Sequence, residues 1–360
     1  MERWVYLDAV RGLAAIMVAV FHYQGLFTEK QFFDFGYLAV DLFFVLSGMV
    51  MQAMYGEAIA RGSLGVREFA LVRLRRLYPM VVLGLLAVAS LNLCSVPPSN
   101  VSTASWISLA RSVLLLPELG TSNAFPANGP LWSLMSEVVV NSIWFATVRL
   151  GGMRAFAALT ALAVPAALLL IGAHGGSANF GWQGDVAQLL EGCVRALGAF
   201  CAGAMLTTYR VAVDNLFSRV PAAVTLLLAG VLLLSRAVLQ MAFPLVADVA
   251  PIMGCVVALC ALRRWTPPRG LIHPFVWLGS ISYPVYLLHA PLGRALAANA
   301  SDVSHLSIQP FYGFLLAKMS TVWLTTPGVG GVYLMLLLAL STAAHYVYEK
   351  PLQRRLRGQR

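Results

Sequence analysis

The chain has 360 residues, 59% of them hydrophobic and only 11% charged, with a mean hydropathy of +0.76. A soluble globular domain carries about 25% charged residues, so a water-soluble fold of this length is excluded. The net charge of +10 does not imply a nucleic-acid partner: the basic residues sit in short loops between apolar runs, with no basic domain, tail or nucleic-acid motif, a distribution set by membrane topology.

Apolar runs close to the ~20 residues that cross hydrocarbon recur along the sequence. The expected class is therefore an all-α polytopic membrane protein of about ten transmembrane helices, forming a single membrane domain over 1–360. The spans fall roughly at 9–27, 37–54, 79–96, 131–149, 154–172, 186–207, 220–239, 244–262, 274–297 and 328–348. Two long connections, 97–130 and 298–327, separate them, and part of 306–325 is apolar enough to lie in the interface or re-enter the membrane. Of the 25 Lys and Arg residues, nineteen fall on the N-terminal side of the membrane, five on the other and Arg195 within a span. That bias places both termini in the cytoplasm. The first span holds an arginine and a histidine and lacks a small-residue cleavage site after it, so it is read as retained rather than as a signal peptide. The five cysteines (Cys94, Cys193, Cys201, Cys255 and Cys260) form no CxxC pair, and neither a disulfide framework nor a metal site is expected.

The first span reads LDAVRGLAAIMVAVFHY. Arg11 and His22 stand eleven positions apart, close to three helical turns, so they share one face about 16 Å apart. Asp8, three residues before Arg11, can pair with it on that face. An ionisable residue in hydrocarbon is a functional candidate; the structural alternative is a snorkelling arginine and a histidine bonded to a neighbouring helix. The second span opens on VDLFFVLSG, where Asp41 needs a partner or water at the outer end. Ser47-Gly48 reads as helix packing before it reads as a nucleophile.

VRLRRLYP, residues 72–79, precedes the third span. Arg73, Arg75 and Arg76 either anchor to anionic headgroups or hold a phosphorylated ligand from the cytoplasm through their bidentate forks. GPLWSLMSEVVVN opens the fourth span and carries Trp132 and Glu137. Counted from the outer boundary, Glu137 and His22 lie at similar depth, each within roughly 10 Å of it, and orienting an imidazole is a natural use for such a carboxylate; the alternative is a structural Glu–His or Glu–Arg contact. In SISYPVYLLHAPL, Tyr283, Tyr286 and His289 follow one helical face. HYVYEKPLQRR at the end reads as a helix terminus and anchor.

In this order and spacing, these stretches resemble the acyltransferase-3 family of integral membrane acyltransferases, over nearly the whole chain. Arg11 and His22 match its Arg/Lys–ten residues–His motif, and residues 41–48 match its DLFFVLSG stretch. Arg73, Arg76, Leu77 and Pro79 match its Arg-x-x-Arg-(Ile/Leu)-x-Pro element. Trp132, Ser133, Leu134 and Glu137 match Trp-Ser-Leu-x-x-Glu, and Ser282, Tyr283, Tyr286, Leu287, His289 and Pro291 match Ser-Tyr-x-x-Tyr-Leu-x-His-x-Pro. Val138 departs from the pattern, since many members carry an acid or Gln there. The SGNH hydrolase-like domain that some members append at the C-terminus is not expected here.

The resemblance implies transfer of an acyl group, usually acetyl, from acyl-coenzyme A on the cytoplasmic side to a hydroxyl of a sugar, glycan or other acceptor, without a metal. The implied setting is a bacterial inner membrane. The expected roles are His22 as general base, Glu137 fixing its tautomer, Arg11 along the donor's path, and Arg73, Arg75 and Arg76 on the coenzyme A phosphates. Asp8, Asp41, Ser47, Trp132, Tyr286 and His289 are expected in substrate-binding or supporting roles, with Tyr286 and Ser47 as candidate oxyanion donors. The competing classes are a proton-coupled transporter of a small solute, using the same buried charges as its pathway, and a scaffold of envelope assembly without chemistry.

Overall fold

The computed structural model describes residues 4–27, 33–94, 103–263, 265–301 and 328–357. Its regular elements are helices, with no strand among the described residues; in a bilayer only a helix satisfies its backbone within one segment. The expected re-entrant stretch within 306–325 lies outside them.

Helix α1 spans Val5–His22. Helix α2 spans Leu38–Met51 and runs on through a π-helical turn, Gln52–Gly56, to a last turn ending at Ala60. Then come α3 (Val66–Cys94), α4 (Thr103–Val113), α5 (Leu131–Ala173), α6 (Val186–Thr208), α7 (Arg210–Leu216), α8 (Ala222–Leu234), α9 (Arg236–Ala242), α10 (Val249–Leu262) and α11 (Arg269–Ser301). Helix α12 (Gly328–Ala343) continues through a π-helical turn, Ala344–Glu349, into α13 (Lys350–Arg357).

Eight of these helical stretches are long and apolar enough to cross a membrane, and a ninth span arises if α8 and α9 count together. Two breaks in the helices bear on the expected count of ten. The spans expected at 131–149 and 154–172 fall on the two helices that meet within α5 at a kink at Gly152, whose φ of 66° and ψ of −165° are non-helical. Only a residue without Cβ adopts that conformation without strain. The span expected at 220–239 is bent by 61° between α8 and α9, and the bend places Arg236 on the buried Asp248 (Nε to Oδ1 2.8 Å). The helix that carries the third expected span, 79–96, reaches further back. Helix α3 starts at Val66 and carries Pro79 inside it, so Arg73 and Arg76 lie on the helix, one turn apart, rather than ahead of it. The 97–130 connection holds α4.

Helix α1 packs along α11 and α2; α2 packs along α6, α6 along α5, and α11 along α3 and α12. Small residues set the closest approaches, as they do between helices in lipid. A Cβ at Gly48 would come within 2.0 Å of the Phe200 carbonyl, and one at Gly203 within 2.0 Å of the Val45 carbonyl, so α2 and α6 meet backbone to backbone. Gly279 admits the buried Asp8 in the same way, since a Cβ there would lie 2.4 Å from the Asp8 Cβ. These contacts fix α1, α2, α3, α5 and α11 around one cavity.

Candidate active site

A cavity of about 190 Å³ lies among α1, α2, α3, α5 and α11. Arg11, Ser47, Arg73, Arg76, Glu137 and the tyrosines Tyr283 and Tyr286 line it, together with Ser133 and apolar side chains of α2. Three guanidiniums against one lining carboxylate give the lining a positive balance, and Arg forks are of the shape that suits phosphate oxygens. Arg75, on another face of α3, is not among the lining residues.

Glu137 is committed inside this cavity. Its Oε1 accepts from Arg73 Nη2 and, at 3.1 Å, from Ser47 Oγ. Arg73 Nη1 lies 3.3 Å from Met51 Sδ. The expected pair between Glu137 and His22 is therefore replaced by Glu137–Arg73. Glu137 turns toward α3 instead. Arg76 extends from the next turn of α3 to Glu349, whose carboxylate also accepts from His345 Nδ1 at 2.7 Å and Gln353 Nε2 at 3.0 Å. Glu349 is 0% exposed. The reading of HYVYEKPLQRR as a plain terminus and anchor is thus corrected: a carboxylate on an otherwise apolar helix was the available signal.

The imidazole partner of His22 is His289. His22 closes α1 and is exposed, whereas His289, on α11, is fully buried. His22 Nδ1 stands 3.0 Å from His289 Nε2, with the two rings within 5° of parallel. His289 Nδ1 stands 2.7 Å from the Tyr286 carbonyl. A carbonyl only accepts, so His289 Nδ1 carries the hydrogen and its Nε2 holds a lone pair. His22 Nδ1 must then donate to that lone pair, which leaves the His22 Nε2 lone pair free to take a proton. The chain carbonyl–His289–His22 thus fixes a tautomer in the way a carboxylate was expected to.

Tyr286 joins the two regions. It lines the cavity, its ring centroid is 5.9 Å from that of His289, and its carbonyl receives the His289 proton. Its hydroxyl lies 2.7 Å from Ser133 Oγ, which also donates to the Pro130 carbonyl at 3.0 Å. The hydroxyls of Tyr286 and Ser47, expected as oxyanion donors, therefore both have protein partners here. The histidines themselves do not line the cavity; they sit one turn of α11 beyond it, about 4.5 Å along the axis.

Asp41 and Trp132 are drawn together elsewhere, around Arg195 of α6. Arg195 Nε lies 3.0 Å from Asp41 Oδ1, both side chains being 3% exposed. The guanidinium sits over Trp132 at 5.2 Å and Phe180 at 5.0 Å, and donates to the Ala178 and Phe180 carbonyls. Asp41 does have the partner that its position demanded, and the contact ties α2 to α6 away from the cavity.

A family model described as "Acyltransferase domain", that of the acyltransferase-3 family, matches residues 4–344. The chain belongs to this family and is a membrane acyltransferase. It is 32% identical over 161 residues to "Protein 2 in picA locus" of Rhizobium radiobacter, a match that spans 40% of this chain and 81% of that protein. It is also 32% identical over 88 residues to a "Putative O-acetyltransferase" of Staphylococcus aureus (strain COL), covering 24% of this chain and 14% of that protein. No solved structure matches.

Proposed function

We propose that the protein moves an acyl group, acetyl in the simplest case, from acyl-coenzyme A on the cytoplasmic side to a hydroxyl of a sugar or glycan, from within a bacterial inner membrane. The coenzyme A phosphates bind Arg73 and Arg76, and the pantetheine arm runs past Arg11 toward Tyr286. The acceptor hydroxyl reaches His22 at its exposed end. His22 Nε2 takes the hydroxyl proton as the oxygen attacks the thioester carbonyl carbon. The carbon–sulfur bond breaks as the tetrahedral intermediate collapses, and the thiolate leaves with the proton returned from the imidazolium.

The observation that carries this reading is the tautomer chain ending in a free His22 Nε2 lone pair, one helical turn beyond a cavity of arginines. His289 is then a positioning residue for the base, and Glu137 holds Arg73 for the donor. Base catalysis of this kind contributes roughly 10²–10⁴-fold. The test is transfer of label from radiolabelled acetyl-coenzyme A to membrane glycan by the purified protein. Label is expected on glycan with wild type and absent with His22→Ala. Equal transfer by both would refute the assignment. A transporter would instead move solute without acyl-coenzyme A.

A further inference from the structure

Two arginines one turn apart on α3 face the same cavity, and each is held by a carboxylate from a different helix. The two carboxylates are not equivalent. Glu137 lines the cavity itself, with its side chain 23% exposed, so an incoming anion meets it directly. Glu349 does not line the cavity and is 0% exposed behind Arg76. It is also held from three sides, by Arg76, His345 and Gln353.

Arg76 offers five N–H donors, and the bond to Glu349 uses Nη1. The same guanidinium lies over the Tyr283 ring, 5.3 Å from its centroid. That ring is itself fixed, because the Tyr283 hydroxyl donates to the Leu77 carbonyl at 2.8 Å. A long, flexible side chain is thus pinned between a carboxylate and an aromatic face, while its side chain remains 38% exposed. Both His345 and Glu349 lie in the π-helical turn Ala344–Glu349, a distortion that recurs at functional sites.

We propose that Glu349, backed by His345, is a positioning residue of the anion site. It holds the Arg76 guanidinium against the cavity wall so that its remaining N–H groups meet phosphoryl oxygens of the coenzyme A donor. The inference rests on the donor reading given above. Because Glu349 lies behind Arg76 and not in the cavity, the donor does not compete with it. Pre-orientation outweighs the charge that Glu349 neutralises, so removing it weakens donor binding.

The test measures equilibrium binding of coenzyme A to the full chain in detergent for wild type, E349A, E349Q, H345A, R76A and R76A/E349A. A charged hydrogen bond of this kind corresponds to about tenfold in affinity, and E349A is expected to lose that much. E349Q keeps an acceptor for Arg76 and should recover most of the loss. R76A/E349A should bind no more weakly than R76A, since Glu349 acts only through Arg76. H345A, which keeps the ion pair but removes its brace, should weaken binding about threefold and carries the test if E349A does not fold. Binding by E349A or H345A as tight as wild type, or an equal loss from E349A in the R76A background, overturns the inference alone. Wild-type protein that does not bind coenzyme A overturns the donor reading, and the inference with it.

Discussion

The arginine cavity and the histidine pair share two helices yet are built on opposite principles. In the cavity, charges from α1, α3 and α5 converge, and the arginines of α3 are restrained by Glu137 and Glu349, one in the wall and one behind it. The histidine pair carries no formal charge while both rings are neutral, and its order comes from a single backbone carbonyl that sets the protons of two rings in turn. The first arrangement suits holding an anion, and the second suits moving a proton. The contrast predicts that substitutions in the cavity act on donor affinity, and substitutions at the pair act on turnover.

The largest effect should come from His22→Ala, with kcat lowered roughly 10²–10⁴-fold and coenzyme A affinity unchanged; an equal loss of affinity would merge the two regions. Arg73→Ala removes a charged hydrogen bond to the donor phosphate, about 1.5–3 kcal/mol, and leaves the unpaired Glu137 carboxylate in the cavity to repel it. Donor KM should rise at least about thirtyfold, with kcat at saturation changed far less. His289→Ala frees the His22 ring and its tautomer, and kcat should fall about tenfold while KM holds. A stronger effect on KM would place His289 in donor binding instead. Tyr286→Phe removes a hydroxyl whose partner is Ser133, a bond that contributes about 1 kcal/mol, so turnover should fall by no more than about fivefold. A larger fall would return Tyr286 to the role of oxyanion donor. Stability gives an independent check, since Asp41→Ala strands Arg195 in the interior and should cost about 3–5 kcal/mol, read as a lowered thermal midpoint.

Much of this was legible in sequence. The eleven-residue spacing placed Arg11 and His22 on one face of α1, where Arg11 lines the cavity and His22 joins the pair. Two of the arginines of VRLRRLYP, Arg73 and Arg76, line the cavity, whereas Arg75 does not. The pairings were not legible, because counting residues from a span's end gives depth in the membrane and not direction around the helix. Glu137 points to Arg73, and His289 takes the place expected for it beside His22. Glu349 was obscured by Lys350 and Pro351, which suggested a helix end where the structure continues through a π-helical turn into α13. The bend at Ser235 escaped for a related reason. A single bend there divides an apolar stretch that hydropathy reads as straight, whereas the kink at Gly152 falls between the two spans expected at 131–149 and 154–172.

The most direct test of the account is a structure of the protein with coenzyme A bound. The account predicts phosphates against Arg73 and Arg76, the pantetheine arm beside Arg11, and the thiol near Tyr286 on the side of His22 Nε2. Coenzyme A bound outside the arginine cavity, or a thiol directed away from His22, would contradict it.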